Sequence, residues 1–163
     1  MMGQTDFSQE CIFMGEAIKQ ARAASVKDEV PVGAVIVREG RIIARAHNQV
    51  EMLHDPTAHA EMIALTQAAN ALSSKWLLEC NMYVTLEPCS MCAGAMVLAR
   101  IKKLYYGAAD PKTGACGSVA NIVQHAGLNH RVEISGGVMA EECGALISRF
   151  FQQKRAEQKS ILS

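Results

Sequence analysis

Short segments rich in β-branched residues alternate with longer amphipathic segments along this chain of 163 residues. Strands are predicted over residues 30–37, 41–48, 83–86, 103–107 and 131–135. Helices are predicted over about residues 7–24, from Pro56, from Pro88 to about Ala99, and near the C-terminus. The order α-β-β-α-β-α-β-β-α indicates an α/β fold in which helices cover both faces of a partly parallel sheet.

The helices are predicted from apolar residues spaced by three or four positions. The N-terminal stripe comprises Phe7, Cys11, Met14, Ile18 and Ala21. The C-terminal stripe comprises Cys143, Leu146, Ile147, Phe150 and Phe151. At this spacing, at least one of the two phenylalanines is expected in the core. A helix start is predicted at Asp55-Pro56, because aspartate accepts hydrogen bonds from free N–H groups and proline is tolerated at the first helical position.

Composition and charge narrow the possible functions. Half of the residues are apolar and a fifth are charged, which is typical of a globular domain, and no apolar run approaches the roughly 18 residues of a membrane helix. No repeat or flexible linker divides the chain, so residues 1–163 are expected to form one domain. The first residues lack the basic and apolar regions of a secretory signal, which favours a cytoplasmic location.

The charge pattern says little about partners. A zero net charge weighs mildly against a polyanionic partner. Cations nevertheless cluster in residues 100–112 and 149–159. Such clusters either contact phosphates or, more often, form a solvated face.

Two short motifs carry candidate chemistry: His59-Ala60-Glu61, near one predicted helix start, and Pro88-Cys89-Ser90-Met91-Cys92, which opens the next helix after a strand. Cys89 and Cys92 are three positions apart, so their sulfurs share one face of the first helical turn, where the helix dipole favours thiolates. With the imidazole of His59 they make three ligands for a zinc ion. Three protein ligands leave the fourth tetrahedral position for water, which is the pattern of catalytic zinc.

Glu61 is the candidate catalytic residue. Bound zinc lowers the pKa of water from about 15.7 to about 7, and a neighbouring carboxylate can accept the proton and pass it on. Residues two positions apart on a regular helix point in different directions. Glu61 and His59 can therefore share a site only if the motif stands at the tip of its helix and the site lies beyond that tip.

Each motif alone has other interpretations. A Cys-x-x-Cys pair after a strand also occurs in thiol redox proteins and in structural, non-catalytic zinc sites, and an isolated His-x-Glu says little. Together, on two helix starts about 30 residues apart, the motifs favour a catalytic metal site. The other cysteines are scattered and are expected to be small buried residues; they are Cys11, Cys80, Cys116 and Cys143.

His-x-Glu followed by Pro-Cys-x-x-Cys is the signature of zinc nucleobase deaminases. Over about residues 7–155, the chain resembles one family of the cytidine deaminase-like zinc hydrolase superfamily, the bacterial tRNA-specific adenosine deaminases. The zinc motif is shared across the superfamily, whereas some stretches are more specific to the tRNA enzymes; these are residues 55–61, 106–118, 128–131 and Phe150-Phe151. Two features depart from the family: residues 49–54 lack basic side chains, and Cys116 stands where a smaller residue is common.

The resemblance implies a three-layer α-β-α fold with a five-stranded mixed sheet, one zinc ion per chain and a homodimer. It implies hydrolytic conversion of adenosine to inosine at the wobble position of tRNA, with Glu61 protonating N1 of the base and then helping ammonia to leave. The implied partner is the anticodon stem-loop, whose phosphates would face Lys102-Lys103, Lys112 and Lys154-Arg155. Substrate contacts are implied for Asn48, Ala60, Leu86, Asp110 and Lys112. The nearest rival is an enzyme of the same fold that acts on free guanine or cytosine.

Overall fold

The computed structural model describes the backbone of residues 2–163 and the side chains of residues 9–163. The helices in this part of the chain are α1 (Met2–Val26), α2 (Val50–Leu53), α3 (Ala60–Leu72), α4 (Ser90–Ala99) and α5 (Ala140–Leu162). The strands are β1 (Gly33–Arg38), β2 (Arg41–His47), β3 (Cys80–Leu86), β4 (Lys103–Ala108) and β5 (Glu133–Ser135). None of the described helices is both long enough and apolar enough to span a bilayer.

The strands form one mixed sheet in the order β2-β1-β3-β4-β5. Strand β1 is antiparallel to β2 and β3, whereas β3, β4 and β5 run parallel. Glu39 and Gly40 form the tight turn between β1 and β2 with positive φ angles of 51° and 74°. Parallel strands need a crossover, which α4 supplies between β3 and β4. The predicted α/β fold with a five-stranded mixed sheet is confirmed.

Side chains of the central strands alternate between two apolar layers. In β1, Ala34 and Ile36 pack with residues of α3 and α4, whereas Val35 and Val37 pack with residues of α1 and α5. This period of two is what a strand buried on both faces requires. The helices therefore cover both faces of the sheet, as a three-layer α-β-α fold.

Gly33 allows α1 and β1 to approach closely. A Cβ atom at this position would lie 2.0 Å from the carbonyl oxygen of Ala17 and 2.5 Å from the amide nitrogen of Ala21. The N–H of Gly33 donates to the hydroxyl of Thr85 in β3 at 3.1 Å. The start of β1 is thereby fixed against both a helix and the neighbouring strand.

The third helix starts at Ala60, so the prediction of a start at Pro56 is wrong. Asp55 does accept hydrogen bonds, but they come from the N–H and the hydroxyl of Thr57, at 2.8 and 2.7 Å, and close a turn. His59 follows with extended backbone angles, φ −73° and ψ 150°. Helical geometry is therefore possible only after His59.

Other bounds also differ from the sequence-based predictions: β1 begins at Gly33 rather than Val30, and β3 begins at Cys80 rather than Tyr83. Helix α4 starts at Ser90 rather than Pro88, because Cys89 is extended, with φ −74° and ψ 176°. The short helix α2 is not predicted, and β5 is two residues shorter than the predicted 131–135. The side chain of Phe7, in the predicted N-terminal stripe, lies outside the described residues.

Candidate active site and metal centre

Two helices begin beside the edge of the sheet at which β3 ends. His59 is the N-cap of α3 and Cys89 is the N-cap of α4. Their carbonyl oxygens accept the first helical hydrogen bonds, from Ile63 at 3.1 Å and from Ala93 at 2.9 Å. Neither side chain caps its own helix with a hydrogen bond, so the imidazole and the thiol can face a common ligand.

The imidazole and two thiols meet between these helix starts. Nδ1 of His59 lies 3.6 Å from Sγ of Cys89 and 3.5 Å from Sγ of Cys92. The three candidate ligand atoms lie within 4.8 Å of one another, and no other such group of three occurs among the described residues. The residues predicted as metal ligands are thus brought together, and they could hold a metal ion.

The three grouped side chains shift one another's pKa values. Hydrogen bonds with Cys92 and then with His59 lower the pKa of the Cys89 thiol to about 3. The same contact with Cys89 raises the pKa of His59, and burial opposes that rise. The hydrogen bond to Cys89, followed by burial, raises the pKa of Cys92. The lowered pKa of Cys89 favours its thiolate, which is the form that binds a divalent metal ion.

Glu61 lies in the first turn of α3, is 4% exposed and lines the same cavity as His59. Burial raises the pKa of its carboxyl, because the charged form loses its hydration there. The neighbouring Cys92 side chain is among the groups that lower this pKa and so partly oppose the rise. His59 and Glu61 share one site because their motif stands at the tip of the helix, as their spacing requires.

Asn48, one of the predicted substrate contacts, is held on three sides. Its Oδ1 accepts the N–H of Ala60 at 2.9 Å, its carbonyl oxygen lies 2.9 Å from Nδ1 of His47, and its N–H donates to Val32 at 3.1 Å. Because Oδ1 supports the helix start, the amide NH₂ is the donor that Asn48 can offer to a substrate.

A cavity of about 940 Å³ contains these groups. Ligand cavities span roughly 300–1,000 Å³, so this one has room for a nucleoside and part of its surroundings. Its lining includes His59, Glu61, Cys89 and three of the predicted substrate residues, Asn48, Leu86 and Asp110. Ala60 is fully buried, and neither Ala60 nor Lys112 lines the cavity, so their contacts with a substrate stay predictions.

The predicted basic segments lie at opposite ends of the sheet. Lys154 on α5 lines the cavity and forms an ion pair with Asp28. Lys102 pairs with Glu79 at 2.9 Å, and Lys103 is the first residue of β4. Lys102-Lys103 lie where β4 begins, whereas the three candidate metal ligands lie near the ends of β3 and β4. The length of one strand, roughly 17 Å, therefore separates these two lysines from the candidate ligands. These cations do not form one surface around the cavity.

The prediction that Phe150 or Phe151 belongs to the core is confirmed, and the prediction of buried cysteines is confirmed for three of four. Phe150 is 7% exposed and belongs to the core, while Phe151 is 42% exposed, and both line the cavity. Three of the scattered cysteines are buried and Cys11 is half-buried; the buried ones are Cys80, Cys116 and Cys143.

Two buried glutamates shape the cavity, although the sequence patterns do not single them out. Glu29 is 1% exposed and accepts the N–H groups of Glu51 and Met52 at 3.2 and 2.7 Å, which holds α2 in place. Glu87 is 2% exposed and binds the loop of residues 110–118. The only sequence signal that could have identified these two glutamates is their position, because Glu29 directly precedes one predicted apolar strand and Glu87 directly follows another.

A sheet that offers His-x-Glu at one helix start and Cys-x-x-Cys at the next defines the cytidine deaminase-like class of hydrolases. A family model for MafB19-like deaminases matches residues 7–155. The tRNA-specific adenosine deaminase of Bacillus subtilis (strain 168) is 49% identical over 154 residues, which cover 94% of this chain and 95% of that protein. The chain belongs to the MafB19-like deaminase family and, within it, to the tRNA-specific adenosine deaminases.

Solved structures agree with this assignment. A structure from work on A-to-I editing by tRNA:A34 deaminases at the wobble position of transfer RNA has a TM-score of 0.80 and 44% identity, covering 82% of this chain and 97% of that chain. A guanine deaminase of Bacillus subtilis has a TM-score of 0.58 and 40% identity, over 60% of this chain and 63% of its own. The family assignment excludes the thiol redox alternative, and the more extensive structural match is to the tRNA enzyme.

Proposed function

We propose that this deaminase converts adenosine to inosine at the wobble position of a tRNA, in the cytoplasm, and releases ammonia. The observation that carries the proposal is the group of His59, Cys89 and Cys92 beside the buried Glu61 in one cavity. It occurs in a chain that is 49% identical to a tRNA-specific adenosine deaminase over 94% of its length. In the reaction, water adds its oxygen to C6 of adenine, the C6–N6 bond breaks, and N6 leaves as ammonia.

The donor set fits one zinc ion per chain. Zn–S bonds of about 2.3 Å and Zn–N bonds of about 2.0 Å place sulfur and nitrogen roughly 3.5 Å apart in a tetrahedral site. The two distances from His59 Nδ1 to the cysteine sulfurs are 3.6 and 3.5 Å. Thiolates and imidazole are ligands that zinc prefers, and a set of three is typical of catalytic sites. When bound, zinc supplies a water molecule whose pKa is lowered to about 7.

Glu61 moves the protons of the reaction. Its carboxyl shares the cavity with His59 and Cys89, where it accepts a proton from the attacking water and delivers it to N1 of adenine. It then takes the second proton of that water from the oxygen now bound to C6 and passes it to N6, so that the amino group leaves as ammonia and C6 keeps a carbonyl oxygen. Glu61 is not one of the three grouped ligand residues, so these transfers leave the metal site intact.

Asn48 and Leu86 hold the base. Asn48 donates a hydrogen bond from its NH₂ group to a ring nitrogen, and Leu86 offers apolar surface in the same cavity. A base must leave its stack to enter such a cavity, which costs least in a loop whose bases are already partly unstacked. The anticodon loop of a tRNA meets this condition.

Side chains at the cavity suit the RNA that surrounds such a base. Lys27 and Lys154 bring two cations to the lining, and Phe151 is exposed enough to stack with a neighbouring base. The ion pair of Lys154 with Asp28 holds this part of α5 near the end of α1. The anticodon stem-loop is therefore the proposed partner.

The proposed enzyme acts as a homodimer. A face built from α3, α4 and nearby loops exposes three large apolar residues: Leu98 is 78% exposed, Trp76 48% and Leu128 42%. They line a hollow of about 850 Å³. Apolar patches of this kind mark interaction surfaces, and a second copy of the chain is the occupant that the family resemblance implies.

The direct test is incubation of the zinc-loaded protein with an anticodon stem-loop RNA that carries adenosine at the wobble position. Sequencing is expected to show inosine at that position and at no other adenosine. Free guanine, cytosine and adenosine are offered in parallel. Turnover of a free base without turnover of the RNA would contradict the proposal and favour the rival enzyme type.

The mechanism is tested with Glu61→Gln. Loss of the proton carrier is expected to lower kcat about 100-fold or more, while the bound zinc stays at the wild-type amount. Glu133→Gln, at an exposed glutamate of β5, is the matched control and should retain wild-type kcat. A Glu61→Gln protein with normal turnover would remove Glu61 from the mechanism.

A further inference from the structure

Glu87 stands where the sheet, a metal-ligand segment and a loop meet. It directly follows β3 and precedes Cys89 by two residues. Its N–H donates to the carbonyl oxygen of Ala108, at the end of β4, at 2.9 Å. The main chain of Glu87 is therefore fixed by both parallel strands, and its side chain is 2% exposed.

The carboxylate of Glu87 accepts hydrogen bonds from four donors in residues 110–118, here called the 110–118 loop. Oε1 accepts the N–H of Asp110 at 3.1 Å and the hydroxyl of Ser118. Oε2 accepts the N–H groups of Cys116 and Ser118, both at 3.1 Å. Each oxygen thus has two donors, which matches its two lone pairs.

The loop is packed directly against this carboxylate. A Cβ atom at Gly114 would lie 2.4 Å from the carboxyl carbon of Glu87 and 2.5 Å from the carbonyl oxygen of Asp110. The N–H of Ala115 also donates to the carbonyl oxygen of Pro88 at 2.8 Å. Because the loop contains no regular helix or strand, these contacts with the segment before Cys89, together with hydrogen bonds to residues 120–122, hold its residues in place.

The 110–118 loop forms one part of the cavity wall. Asp110 and Thr113 both line the cavity. They are joined to each other, because the carboxylate of Asp110 accepts the N–H of Thr113 at 3.2 Å and its hydroxyl at 2.8 Å. A movement of the loop would therefore carry both side chains away from the substrate together.

We infer that Glu87 is a positioning residue that sets the substrate affinity of the proposed deaminase, by holding Asp110 and Thr113 in the cavity wall. This inference rests on the proposed function. Its chemistry requires a carboxylate: a glutamine has one acceptor oxygen and one NH₂ group, so two donors of the loop would face another donor. The two hydrogen bonds that remain would have a neutral instead of a charged acceptor and would be weaker.

The test compares Glu87→Gln with wild type in two measurements. Hydrogen–deuterium exchange, without any substrate, is expected to be faster for the amides of the 110–118 loop and unchanged in β1 and α3. Kinetics on the stem-loop RNA are expected to show KM raised about tenfold and kcat changed by less than about threefold. The control is Glu79→Gln, an exposed glutamate just before the opposite end of β3, which should match wild type in both.

The two measurements separate positioning from mere loss of stability. Partial unfolding would reduce the amount of active enzyme and so lower kcat, but it would leave KM unchanged. Unchanged exchange in the loop, or an unchanged KM, would overturn the inference. If Glu87→Gln does not fold, Ser118→Ala removes one of the four bonds and must produce smaller shifts in the same directions.

The outcomes also separate this inference from the proposed function. If the wild-type enzyme does not deaminate the RNA, the proposed function fails, and the exchange comparison still decides whether Glu87 holds the loop. If the wild-type enzyme is active and Glu87→Gln matches it in KM and in exchange, only the positioning role fails.

Discussion

The side-chain oxygen and the NH₂ group of Asn48 have different roles. Oδ1 accepts the N–H of Ala60 and so supports the start of α3, the helix that carries Glu61. The NH₂ group is the donor proposed for the base. Aspartate can separate these tasks, because it keeps an acceptor for the helix N–H but has no donor for the substrate.

Asn48→Asp is expected to lower kcat/KM on the stem-loop RNA about 10- to 100-fold, which corresponds to the loss of one buried hydrogen bond. Its free energy of unfolding should stay near wild type, since a helix N-terminus favours a carboxylate. Asn48→Ala removes both functions and should also lower the free energy of unfolding by about 1 kcal/mol. Kinetics and urea unfolding of the two variants measure this. Wild-type activity of Asn48→Asp would contradict the proposed donor.

Sequence patterns identify some site residues and miss others for a physical reason. His59, Cys89 and Cys92 can be recognised because few side chains bind metal ions and because helix starts set their spacing. Glu87 cannot be recognised in this way. Three of its four donors are backbone N–H groups, which nearly every residue carries.

At the scale of elements, two glycines test the packing of α1 on the sheet. Gly33 in β1 faces the backbone of α1, where an added Cβ would lie 2.0 Å from the oxygen of Ala17. Gly15 lies within α1, and nothing comes within 4 Å of a Cβ added there. The same substitution should therefore have opposite effects at the two positions.

Gly33→Ala is expected to lower the free energy of unfolding by about 3 kcal/mol or more, because the backbone of α1 must move to admit the methyl group. Gly15→Ala is expected to raise it by about 0.5–1 kcal/mol, since alanine is favoured over glycine inside a helix. Urea unfolding followed by circular dichroism measures both. A Gly33→Ala protein as stable as wild type would show that helix and strand do not approach as closely as described.

The order of elements is predictable from hydrophobic periodicity, but the helix starts at the site are not. Asp55-Pro56 fits a helix start and a turn equally well by residue type. The extended backbone of His59 and a hydrogen bond from the N–H of Ala60 to Asn48 make this segment a turn and delay the helix start to Ala60. Ala60 and Asn48 are twelve positions apart in the sequence. A contact between residues so far apart in the sequence produces no recognisable pattern in the residues around the helix start.

For the whole molecule, the topology of the sheet decides which predicted features meet. Parallel β3 and β4 bring Leu86 and Ala108 to one edge, so the segments that follow them reach the same cavity. The same topology places Lys102-Lys103 at the far edge, although the family resemblance implied that they face RNA phosphates together with Lys154. Net charge and clustering along the chain could not reveal this separation, because it depends on the parallel direction of β3 and β4 and on which end of β4 carries the lysines.

The exposed apolar face leads to a prediction about assembly. Leu98 is 78% exposed on α4, and Leu98→Lys would place a charge in the proposed interface between two copies. Sedimentation equilibrium should show a dimer for wild type and a monomer for Leu98→Lys at micromolar concentration. The matched control is Ile161→Lys, at a residue 83% exposed near the end of α5, which should remain dimeric.

The monomeric variant should keep its zinc, because all three grouped ligand residues belong to one chain. A monomeric wild type, or a dimeric Leu98→Lys, would contradict the assigned interface.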